Sequence, residues 1–131
     1  MSKGFSLIEI MLVLFIVGLL MAISVPYYSQ HVVQQNRLVA ASSLLKLSSA
    51  LERYYLENNS YAGATLANLG FAASVANNQY LVGMVNAGAD GFLISARPVN
   101  RQARDTVCAT LSLNAVGEKS ISGSGSVAEC W

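Results

Sequence analysis

Residues 5–28 read FSLIEIMLVLFIVGLLMAISVPYY, apolar except for Ser6, Glu9 and Ser24, with Gly18 and Pro26 as the helix breakers. A helix of ~20 such residues rises ~30 Å, enough to cross the hydrocarbon core of a bilayer. Lys3 precedes the run, and the positive-inside rule keeps it cytoplasmic, so everything after Pro26 is expected outside. Three readings compete: a plain anchor, a secretory signal with Ala22-Ile23-Ser24 as a small-x-small cleavage site, and a segment that exploits Glu9. A carboxylate in a hydrophobic helix costs about 2.5–3.5 kcal/mol on insertion scales and wants a partner or a task. Glu9 lies four residues beyond Phe5, near the membrane face, where the cost is lower and a partner is still wanted.

Beyond Pro26 the all-apolar run gives way to an amphipathic pattern. Ala40, Leu44, Leu47, Leu51 and Tyr54 recur at helical spacing, while Ser42, Ser43, Lys46, Ser49, Glu52 and Arg53 fill the other directions. Asn58-Asn59-Ser60 is a stop signal, so the spacing predicts one helix from about Ser6 to about Glu57. The leucine stripe is a core face and asks for no cofactor. Residues 61–79, rich in Ala, Gly and Asn, read as a loop with room for a helical turn. Strands are expected at Tyr80–Val85, Phe92–Arg97 and Thr106–Leu113, with a short fourth at Lys119–Ser122 and turns at Asp90-Gly91 and Asn114–Gly117. In the third strand Val107, Ala109, Leu111 and Leu113 share the face toward the helix, and Cys108 points away.

The chain of 131 residues has room for one domain. A net charge of +1 with 11% charged residues proposes neither a nucleic-acid partner nor an acidic substrate by composition. Cys108 and Cys130 lack the spacing of a zinc or dithiol centre. They form either one disulfide or two buried thiols, and the export segment favours the disulfide, worth roughly 3 kcal/mol by loop closure in an oxidising compartment. The tail SGSGSVAECW reads as flexible, tethered by Cys130 and Trp131.

MSKG followed by FSLIEIMLVLFIVGLLMAISVP resembles the class III signal of type IV prepilins. That resemblance implies cleavage after Gly4 by a prepilin peptidase, N-methylation of Phe5, and an assembly role for Glu9 opposite the new Phe5 amine. It also implies that the stretch between Gly18 and Pro26 unwinds when subunits pack. The outer part resembles the type IVa pilin headgroup, and YYLENNSY, FLISARP, Gln102–Asp105 and Cys130-Trp131 resemble the small PilE-type minor pilins and the DNA-uptake competence pilin. The implied fold is α+β: a long N-terminal helix on a small antiparallel sheet, with a disulfide-bounded C-terminal region. Its organisation is a leader at 1–4, a transmembrane and polymerisation helix at 5–28, and a headgroup at 29–131.

His31, the single histidine, has no neighbours for a metal site or a triad, and Ser122–Ser126 lacks the context of a phosphate loop. No enzyme activity, metal or cofactor is expected. Arg97, Arg101 and Arg104, beside Asn100 and Gln102, are the one candidate nucleic-acid site: arginines would neutralise phosphates and amides would read base edges. Asp105 and the near-neutral balance oppose it, and a solvated or subunit-contacting loop is the competing reading.

The function these features support is a pilin or minor pilin serving adhesion, twitching motility or DNA uptake. Expected partners are other pilin subunits, the prepilin peptidase, the inner-membrane assembly machinery and, through the arginine loop, DNA. The subunit would wait as a single-pass protein of the bacterial inner membrane, headgroup in the periplasm, and end in an extracellular pilus. The alternatives are a pilus-associated DNA receptor and a type II secretion pseudopilin. Against the latter, major pseudopilins typically bind calcium in the C-terminal region, where this tail offers only Glu118 and Glu129 as carboxylates.

Overall fold

The computed structural model describes residues 4–131, so Lys3 and the residues before it lie outside the described part. Helix α1 runs Leu7–Asn58 and continues through Pro26. Two compact units divide the chain, one ending at Val32 and the other spanning Val33–Trp131.

In the first unit every described residue is exposed. Apolar side chains such as Ile8, Leu14, Phe15 and Leu20 therefore face outward around the helix, which is long and apolar enough to cross a membrane. Its polar atoms are handled locally. The Ser24 hydroxyl donates to the Leu20 carbonyl at 2.8 Å and that of Ser29 to Pro26 at 2.9 Å, which removes two unsatisfied groups from an apolar surface.

The second unit contains five strands: β1 Ser74–Val75, β2 Tyr80–Ala87, β3 Phe92–Pro98, β4 Leu111–Asn114 and β5 Lys119–Ile121. A four-residue helix, α2, closes the chain at Val127–Cys130. The sheet is antiparallel throughout, with strands in sequence order. Val82 pairs with Ala96 and Ala96 with Leu111, while Met84 pairs with Ile94 and Ile94 with Leu113, which lays two apolar rows on one face. Against them pack Ala40, Ala41, Leu44, Leu47 and Leu51 of α1, the i, i+4, i+7, i+11 face anticipated from spacing. Tyr61, from the connecting loop, stands edge-on to Phe92 with centroids 5.0 Å apart and donates its hydroxyl to Glu52 at 3.2 Å.

Three expectations are corrected. The third strand starts at Leu111 rather than Thr106. The Asp105 carboxylate accepts the Cys108 N–H and the Asp105 carbonyl accepts that of Ala109, which takes a left-handed φ of 51°. Thr106–Cys108 is thus a turn, and the alternation read through it has the wrong phase: Cys108 is fully buried while Val107 is 39% exposed. Cys108 points into the core, where it is bonded to Cys130.

The C-terminal tail is not free. Backbone N–H groups of Ser122, Gly123, Ser124 and Gly125 donate to the carbonyls of Thr110, Cys108, Thr106 and Val107, and the Trp131 indole donates to Ser120. A Cβ at Gly123 would sit 2.1 Å from the Val107 oxygen, and one at Gly125 2.7 Å from a Val107 methyl. These glycines permit close backbone approach rather than slack.

The loop before β2 holds strand β1, which the residue pattern did not announce, and then Ala76, Asn77 and Asn78 in succession at left-handed φ of 54°, 53° and 61°.

Candidate assembly segment and nucleic-acid face

The first candidate region opens α1. Phe5 is exposed, and the first turn is closed by the N–H groups of Glu9 and Ile10 donating to Ser6 at 3.0 and 3.3 Å. Glu9 falls in the first helical turn, where the positive end of the helix dipole favours a carboxylate by ~0.3–1 kcal/mol. Its side chain is exposed and makes no ion pair among the described residues. Gly18 and Pro26 both lie inside the helix, where proline removes a backbone donor and glycine weakens propagation.

The second region begins where β3 ends. After Pro98 the Val99 N–H donates to Gln79 at 2.8 Å, Asn100 adopts a φ of 54°, and Asn100–Arg104 winds as a 3-10 turn. With three residues per turn, positions three apart share a side. Arg101 and Arg104 therefore occupy one side, both exposed, and Gln102 and Asp105 the other, both buried. Arg97, also exposed, sits on β3 opposite Leu81, on an element apart from that turn.

The inward side is a polar network within the second unit. The Arg37 guanidinium of α1 grips Asp105 through two bonds of 2.6 and 2.7 Å, with the two side chains 14% and 1% exposed. Gln102 accepts from the Asn36 amide at 3.0 Å, and its own amide lies 3.2 Å from the Val33 carbonyl, 3.3 Å from the Tyr80 hydroxyl and 3.4 Å from Asp105. Among the described residues no buried side-chain polar atom lacks a partner. Burial pushes the Asp105 carboxyl up, but the hydrogen bonds and charge of Arg37 and the Cys108 N–H outweigh it and hold the group below the ordinary carboxylate range. The same hydrogen bond holds the Arg37 proton more tightly than usual, against the opposing effect of burial.

Gln102, expected to read base edges, is buried and fully engaged, so that expectation is corrected. The exposed amides beside the arginine turn belong instead to Asn77, Asn78 and Asn100, with the Asn100 amide donating to the Asn78 carbonyl at 2.6 Å. Asp105, read from the sequence as a charge opposing the arginines, is turned away from them and neutralised. A signal for this was present: stepping back four residues from Ala40 and Ala41 lands on Asn36 and Arg37, polar residues on a core face that demand buried partners.

The Cys108–Cys130 disulfide, with Cα atoms 5.6 Å apart, joins the Asp105 turn to α2. A shallow cleft of about 190 Å³, lined by Gln34, Arg37, Leu38, Glu129, Cys130 and Trp131, lies beside it.

The model of the type IV minor pilin ComP, DNA uptake sequence receptor, matches residues 26–112, and the prokaryotic N-terminal methylation motif matches residues 1–25. The chain is 32% identical over 114 residues to the fimbrial protein EcpC of Eikenella corrodens, covering 86% of this chain and 73% of that one. Similarity to the type II secretion system core protein G of Pectobacterium carotovorum subsp. carotovorum is 40% over 60 residues, 46% of this chain and only 38% of the relative's length. Among solved structures, the Neisseria meningitidis non-core minor pilin PilV has the same fold, with a TM-score of 0.52 at 23% identity over 63% of this chain and 79% of that one.

Proposed function

The chain belongs to the type IV pilin family, whose members are structural subunits, and from that premise we propose that it is a minor pilin matured by cleavage between Gly4 and Phe5. A prepilin peptidase removes the leader and methylates the Phe5 amine. Residues 5–28 then serve first as membrane anchor, with the headgroup of residues 29–131 in the periplasm, and afterwards as the strut that joins neighbouring subunits in an extracellular filament displayed for adhesion, motility or DNA uptake. The observation that carries this reading is the apolar run of residues 5–28, exposed all round, with a single carboxylate, Glu9, in the first helical turn.

In lipid or in a bundle of such helices, both Glu9 and a new amine at Phe5 are costly, and pairing them within or between subunits neutralises both. Transfer from lipid into the bundle gains no hydrophobic energy, so packing and this ion pair set the register. Between Gly18 and Pro26 the helix is the segment most readily unwound during packing. N-terminal sequencing and intact mass of the cellular protein test the maturation step: N-methyl-Phe5 is the expected start, whereas a start at Val25 refutes it. Glu9→Ala is expected to abolish incorporation into filaments, and normal incorporation would sink the assigned role.

A second reading, a receptor for DNA, is favoured by the outward Arg101 and Arg104 with their neighbouring acid turned inward. The similarity to the ComP model supports it too. Phosphates would meet the arginines, and the Asn77, Asn78 and Asn100 amides would lie beside the bases. Fluorescence anisotropy with duplex DNA tests it: R101A/R104A should weaken binding and flatten its salt dependence by about 2 in log–log slope. Unchanged binding refutes it. The third role, as a secretion pseudopilin, rests on the shorter similarity to core protein G; accumulation of the protein in a pilus-deficient, secretion-competent filament would favour it.

A further inference from the structure

Asp105 follows Arg104 directly, so an acidic group is covalently tied to the 3-10 turn that presents Arg101 and Arg104. On the surface, its carboxylate would offset one of the charges a phosphate backbone meets. Instead it is buried and gripped by a guanidinium from a residue 68 positions earlier in the chain. Resting on the DNA-receptor reading above, we propose that Arg37 is a positioning residue for nucleic-acid binding: by drawing in and neutralising the Asp105 carboxylate, it leaves Arg101 and Arg104 as an unopposed cationic face.

The surroundings of Asp105 make this role specific to Arg37. From β2 it is faced by the Tyr80 hydroxyl, from the 3-10 turn by the Gln102 amide, and from its own turn by the Cys108 N–H, all neutral. From α2, Glu129 acts on Arg37 and is itself acidic. Among the described residues, Arg37 is the sole cation bridged to Asp105. Loss of the guanidinium therefore leaves a carboxylate that is costly to bury and turns outward to water, toward the side that carries Arg104. Loss of the fork geometry with the charge kept, as in a lysine, would strain the packing without freeing the acid.

The experiment uses the full chain in detergent micelles, a short DNA duplex, anisotropy titrations across a salt series, and melting curves in parallel. Arg37→Met is expected to bind about fivefold more weakly at low salt, with the log–log salt slope reduced by about 1. Adding Asp105→Asn to Arg37→Met should restore binding to within about twofold of wild type, because the group released from the pair is then uncharged. Arg37→Lys should melt at lower temperature yet bind DNA within about twofold of wild type, since the charge count is unchanged. Equal weakening in Arg37→Met and Arg37→Lys without recovery in Arg37→Met/Asp105→Asn would make Arg37 a merely structural tie and overturn the proposal, as would wild-type binding by Arg37→Met. A wild-type chain that ignores the duplex removes the receptor reading and this inference with it.

Discussion

Replacing Gly123 with alanine adds one methyl group, and the structure says where it goes. Its Cβ would stand 2.1 Å from the Val107 carbonyl oxygen, 2.5 Å from the carbonyl carbon and 2.7 Å from the Thr106 oxygen. All three are backbone atoms, held by the turn that Asp105 closes and by the buried Cys108. Relief requires the tail to retreat by about 1 Å, which breaks the bonds from Gly123, Ser124 and Gly125 to the turn. At ~1 kcal/mol per hydrogen bond, the loss is about 2–4 kcal/mol. For a headgroup of about one hundred residues this lowers Tm by roughly 10–25 °C. Gly125→Ala differs, because its nearest obstacle at 2.7 Å is the Val107 side chain. Val107→Ala should therefore rescue Gly125→Ala and leave Gly123→Ala unrescued. Near-ultraviolet circular dichroism follows the tail directly, since Trp131 is the only tryptophan and its indole is bonded to Ser120. A Gly123→Ala chain melting within about 2 °C of wild type would refute the idea that the tail is a close-packed strap.

Other perturbations probe the rest of the second unit. Because the Asp105 pKa is lower in the folded chain than in the unfolded one, the folded state binds fewer protons between the two values. Its stabilisation is complete above the unfolded value of ~3.9 and is lost as pH falls through the folded value. Urea titrations should show this acid loss in wild type and a shallower one in Asp105→Asn. Replacing both cysteines with serine opens a 22-residue separation and should cost roughly 3 kcal/mol, but well below the new Tm the Trp131 signal should persist, because the strap has its own hydrogen bonds. Leu47→Ala, at a fully buried site on α1, should cost ~2–5 kcal/mol by denaturant unfolding.

What the residues disclose unaided depends on whether the controlling interaction is local or distant. The apolar run from Phe5 and the stripe at Ala40, Leu44, Leu47 and Leu51 are periodic and long, so the helix and its buried face were legible almost to the residue. β2 and β3 were legible too, because their alternation is set by burial on one face. β4 was overextended because apolar alternation from Thr106 to Leu113 cannot reveal that Asp105 closes a turn there, or that Ala109 leaves extended backbone. Cys108 was turned the wrong way for the same reason. The Gly/Ser tail looked slack, since a glycine needed for freedom and one needed for close approach are the same letter; only the Val107 carbonyl tells them apart.

The candidate DNA face shows the same limit more sharply. Three arginines in eight positions are visible in the chain, but whether Asp105 cancels them depends on a partner in α1. A sum of neighbouring charges counts Asp105 against the site, whereas the fold pairs it with Arg37 and moves it to the other side of a 3-10 turn. The deciding quantity is therefore the direction each side chain takes from that turn: with a period of three, residues 101 and 104 must oppose 102 and 105. A one-residue insertion between Gln102 and Asp105 should break that division, expose the carboxylate, and lower both Tm and DNA affinity. Full stability after the insertion would show that the turn does not set which charges the surface presents.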